Sequence, residues 1–92
     1  MEITITATRT YGDGGTEIVF ERGYTAPAGA RKGLSAAINR ICREWRKADG
    51  VSEQVAEREA ARWDGTSDFA QTVAAWDKVG TIRFEARNST RN

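Results

Sequence analysis

Few residues in this chain have the type and spacing to do chemistry. Cys42 is the single cysteine, with Arg43 and Arg46 close enough along the chain to lower the pKa of an exposed thiol. A cysteine nucleophile needs a base to activate it, and the sequence contains no histidine. The competing reading of Cys42 is a small buried hydrophobe. Glu57 and Asp64 are carboxylates of the kind that share general acid and base work, but Glu57 sits among other solvated charges and Asp64 in a turn. The absence of histidine, with one cysteine, excludes His/Cys zinc sets and an internal disulfide, which points to a reducing cytoplasm. Gly12-Asp13-Gly14-Gly15 has the composition of a phosphate loop, yet it joins two strand-like segments where such loops join a strand to a helix. Asn88-Ser89-Thr90 matches a glycosylation acceptor, which matters only in a secreted chain. No catalytic set, cofactor or metal site is expected.

A charge constellation is more informative. On a helix through the third segment, Lys32, Arg40, Arg43, Arg46 and Lys47 fall within about 120° of one another, away from Leu34 and Ile38. The five share this face with almost no counter-charge. Arg31 and Lys32 also stand in an early helical turn, where the helix dipole disfavours cations by roughly 0.3 to 1 kcal/mol. Two readings remain open: a solvated face neutralised by Glu53, Glu57 and Glu59 of the next segment, or a surface that binds an anionic partner. Trp63 and Trp76 are equally divided between completing a small core and anchoring a partner, whereas Trp45 falls on the core stripe.

The elements that position these residues follow from periodicity. Glu2 to Tyr11 alternates strictly, with Ile3, Ile5 and Ala7 on one side and Thr4, Thr6, Thr8 and Thr10 on the other. Thr16 to Tyr24 puts Ile18, Phe20 and Tyr24 together, opposite Glu17, Val19 and Glu21. A two-residue turn at Asp13-Gly14 joins the two strands and pairs Ala7 with Phe20 and Ile3 with Tyr24, which makes their apolar faces coincide. Leu34, Ile38, Ile41 and Trp45 step by four, three and four, the stripe of an amphipathic helix that Pro27 opens and Asp49-Gly50 stops. Ser52 to Trp63 reads as a helix capped by Ser52. Phe69, Val73 and Trp76 predict a short third helix, and Thr81 to Arg87 a last strand at a sheet edge.

The layout expected is α+β: a small antiparallel sheet, made of an N-terminal hairpin and a C-terminal strand, packed by one main amphipathic helix and one or two shorter ones. One domain divides into a hairpin over 1–24, the main helix over 27–48, a helical or mixed segment over 51–79, a strand over 81–87 and a polar tail over 88–92. A chain of 92 residues supports one core. The net charge of +1 argues against wholesale nucleic-acid coating, although Arg31 to Asp49 hold six basic residues against two acidic ones. No apolar run reaches the roughly 18 residues of a membrane span, and alternating Ile and Thr stand where a signal peptide would have a continuous apolar stretch. The chain is expected to stay in the cytoplasm, without membrane contact.

This hairpin-plus-helix over Met1 to Trp45, with segregated charge and no catalytic constellation, resembles the small inhibitor proteins of phages and mobile elements, the anti-CRISPR proteins among them. The resemblance is one of size and layout. It implies stoichiometric, non-enzymatic binding to a protein or nucleoprotein complex of the bacterial host, a CRISPR effector, at a surface that guide or target nucleic acid needs. Lys32, Arg40, Arg43, Arg46, Lys47, Trp63 and Trp76 are the expected contacts. The alternative is a module that lays the basic helix face directly on nucleic acid. A monomer or weak homodimer is expected, because edge strands leave backbone groups unpaired.

Overall fold

The computed structural model describes residues 1–44, 50–74 and 80–89. The chain forms β1 (Glu2–Tyr11), β2 (Thr16–Thr25), α1 (Ala28–Glu44), α2 (Gly50–Arg62), β3 (Phe69–Ala74) and β4 (Gly80–Asn88). The strands make one antiparallel sheet in the order β2-β1-β4-β3. Two hairpin-like pairs are thus joined along β1 and β4, and both helices cover one face. This is the α+β layout that the sequence predicts.

Alternation places Ile3, Ile5 and Ala7 of β1 beneath the helices, beside Ile82, Phe84 and Ala86 of β4, all fully buried. Ala30, Leu34, Ala37, Ile38 and Ile41 come down on them from α1, and Ala56 and Ala60 from α2. α1 lies over β2 and β1, and α2 over β3. The helices run antiparallel: Cys42 lies near Glu53 and Glu57, while Ala28 shares a cleft with Ala60 and Ala61. The opposite face of the sheet carries Thr4, Thr6, Thr8 and Thr10 on β1 beside Arg87, Glu85, Arg83 and Thr81 on β4, with no helix over it among the described residues.

Several expectations need correction. The hairpin turn is longer by one residue: Tyr11 exchanges backbone bonds with Gly15 and Gly14, and Gly14 takes a positive φ of 92°. That turn alone pairs residues one step out of the predicted register, as in Thr8↔Ile18. A bulge between Ala7 and Thr8 then restores it, so Ala7 still faces Phe20 and Ile3 faces Tyr24. The same bulge reverses two side chains. Val19 packs on the core and Ile18 is 61% exposed, contrary to the predicted faces.

Phe69 to Ala74 is a strand and not a third helix. A spacing of four, Phe69 to Val73, satisfies both periods, and the pairing of Phe69, Gln71 and Val73 with Ala86, Phe84 and Ile82 decides for the strand. In consequence β4 is interior to the sheet, and β2 and β3 are the edges. Finally, Gly50 opens α2 instead of ending the main helix, so Ser52 lies within the first turn of α2 and is not its cap, and Asp49 lies outside the described residues. Pro27 does start α1, its carbonyl accepting the Arg31 amide at 3.0 Å.

Candidate anion-binding face

α1 buries Ala30, Gly33, Leu34, Ala37, Ile38, Ile41 and Cys42, so its remaining side must face outward. Lys32, Asn39, Arg40 and Arg43 are all exposed there. Lys32 and Arg43 project within about 20° of each other and about 17 Å apart along the axis. Among the described residues, neither of them nor Arg31 is in an ion pair. Arg40 differs. Its Nε donates to Glu44 Oε1 at 3.2 Å one turn on, so one predicted cation of the face is partly neutralised, in an exposed pair worth little. Glu53, Glu57 and Glu59 do not form ion pairs with α1 cations among the described residues. Arg46 and Lys47 lie outside the described residues, as do Trp45 and Trp76.

Where α1 and α2 meet, small side chains leave an open cleft of about 470 Å³ floored by Ala28, Ser35, Ala60 and Ala61 and rimmed by Arg31 and Lys32. The cations expected to lie against the helix dipole therefore flank a depression in the helical layer. The first turn of α1 has no acidic residue to offset them.

Trp63 is not available as a partner contact. It is 6% exposed, its ring packs on Phe69 at 5.9 Å between centroids, and its Nε1–H donates to the Ser67 carbonyl at 2.9 Å. It completes the core under the turn that follows α2. Asp64 organises that turn: Oδ1 accepts from the amides of Thr66 and Ser67, both at 2.8 Å, and from their hydroxyls. The Ser67 amide first, then that of Thr66, hold its carboxyl down at about 2. Asp64 is thereby committed to structure and is a poor proton donor.

Cys42 is buried, and burial, reinforced by Glu53 and Glu57, pushes its thiol up to about 12. Arg43, beside it in sequence, does not lower it. A thiol so strongly protonated does not act as a nucleophile at neutral pH. Among the described residues no three His, Cys, Asp or Glu side chains gather to hold a metal ion, and no helix is long and apolar enough to cross a membrane.

Two clusters were not foreseen from the sequence. On the uncovered sheet face, Glu85 bridges Arg83 at 3.0 Å and Arg87 at 2.7 Å. Burial raises the Glu85 carboxyl, but the two guanidiniums outweigh it and hold the group below its usual value. At the far end of the first hairpin the Arg9 guanidinium lies 4.7 Å over the Tyr11 ring, and the Tyr11 hydroxyl donates to Glu17 at 3.0 Å. Residues two apart on one strand face share a side, so the Arg83/Glu85/Arg87 pattern is visible in the sequence once β4 is known to be interior.

No family model, curated protein or solved structure matches the chain.

Proposed function

We propose that this chain is a small non-enzymatic binding protein of the phage-inhibitor type, which lays the outer face of α1 on an anionic surface of a CRISPR effector or similar nucleoprotein complex and blocks access of nucleic acid. The observation that carries this reading is the pair of exposed cations Lys32 and Arg43 along one side of α1, with Arg31 beside them at the rim of the cleft, none of the three in an ion pair among the described residues. Cations held without counter-charge on a rigid helix complement an anionic surface, steer its approach and fix its register. The Cys42 thiol and the Asp64 carboxyl, each locked in an unreactive state, support a non-catalytic role.

The test uses a panel of purified CRISPR effector complexes, measuring target-nucleic-acid binding with the native chain and with a Lys32→Glu/Arg43→Glu variant. The expected result is that the native chain reduces target binding by at least one complex and that charge reversal weakens this at least about tenfold. No effect on any complex, or an effect that the double reversal leaves unchanged, overturns the reading.

The same cations favour a second reading, direct nucleic-acid binding. That reading requires affinity for bare DNA or RNA that falls with salt at a log-log slope of about −3 to −5 if Lys32, Arg40, Arg43, Arg46 and Lys47 all engage. Absent or salt-independent binding removes it.

A further inference from the structure

We propose that two copies of this chain pair through the outer edges of β2, antiparallel about a two-fold axis at Gly23, to form one continuous eight-stranded sheet. β2 is an edge strand of ten residues. The Met1 carbonyl accepts the Ala26 amide, so by the alternation of an antiparallel ladder Tyr24, Arg22 and Phe20 turn their backbone groups toward β1. Thr25, Gly23 and Glu21 turn theirs outward, where the described residues supply no partner strand.

Gly23 marks the centre. A glycine inside a strand weakens it by roughly 0.5 to 1 kcal/mol and often marks a place where another backbone approaches closely. Nothing among the described residues explains this one: its φ is not in the left-handed region, and a Cβ built on it meets no atom within 4 Å.

Charge and the bulge restrict the register, and Gly23 selects within what they allow. Centring the axis on Glu21 or Arg22 sets each against its own copy, and like charges directly opposite are destabilising. Centring on Gly23 sets Glu21 opposite Thr25 and Arg22 opposite Tyr24, with no like pair. The bulge beside Val19 ends the ladder on one side, and the turn into α1 at Pro27 ends it on the other.

The helical layer is shaped for the same arrangement. α1 lies over β2 and β1, so the pairing brings the two α1 helices side by side at about 10 Å, two strand spacings, which is ordinary helix-packing distance. The side of α1 turned away from α2 carries Gly29, Gly33 and Ala36 in its first half, small enough for close approach there, with Gly33 already covered by the Tyr24 ring; the exposed Arg40–Glu44 pair stands on the same side further along and would face the partner copy. Lys32 and Arg43 stay on the outer surface, so this pairing is independent of the function proposed above.

Sedimentation equilibrium of the full chain tests it. The native protein is expected to show a concentration-dependent mass approaching twice the 10.1 kDa of one chain. Gly23→Lys and Gly23→Glu, at an open position on the uncovered face, are each expected to raise the dimer dissociation constant about threefold to tenfold. An equimolar mixture of the two is expected to restore dimerisation, which unfolding of either variant does not produce. A native chain that stays monomeric at all concentrations, or a dimer that neither variant weakens and the mixture does not rescue, overturns the proposal.

Discussion

Tyr24 rests its ring on Gly33, and a methyl group added there would come within 2.5 to 2.6 Å of three ring carbons. Gly33→Ala is therefore expected to lower stability by about 1 to 3 kcal/mol, as overpacking does, although alanine is the better helix former. Chemical denaturation checks this, and a gain in stability contradicts the contact. Asp64 makes a second residue-scale case through pH. Its carboxyl is depressed from an ordinary 3.8 to about 2, so the folded state prefers the ionised form. The stability it contributes is fully present above about pH 4 and is lost as the pH falls from there through 2. Asp64→Asn is expected to remove that part of the acid dependence. The stability gap between native and variant, followed by circular dichroism, then narrows from pH 4 to pH 2; a constant gap refutes it. Of the individual residues, the exposed α1 cations were legible from helical spacing alone. The pairing of Arg40 with Glu44 follows the same rule one turn on, whereas the burial of Trp63 depends on Phe69, which is placed only by tertiary pairing.

At the scale of elements, β1, β2, α1, α2 and β4 were legible because each carries its own period. β3 was not, because Phe69 and Val73 are four apart, a step that both helix and strand place on one side. Strand order was hidden for the same reason: without β3, β4 reads as an edge. The bulge at Val19 has no local signature at all, and it inverts the expected roles of two neighbours. Ile18→Thr is expected to change stability by no more than about 0.5 kcal/mol, and Val19→Ala to cost about 1 kcal/mol. Thermal unfolding of both variants decides this, and a larger loss at Ile18 restores the unbroken alternation and removes the bulge.

At the scale of the molecule, the sheet is held together along β1 and β4, the first and last strands, with the helices and both edge strands hung on that seam. The seam begins where the Ser89 amide donates to the Glu2 carbonyl, so the outer ends of its two strands are immediate neighbours. Antiparallel ladder bonds lie across the strands. A force drawing residue 2 away from residue 89 therefore loads them one at a time, as a zip is loaded, while a force drawing the Gly12 turn away from residue 89 loads them all together in shear. Mechanically the protein is soft along the first direction and stiff along the second. An unfolding machine that grips the chain beyond Ser89 against a held N-terminus meets the soft direction, and the core between the two central strands is opened at the first step.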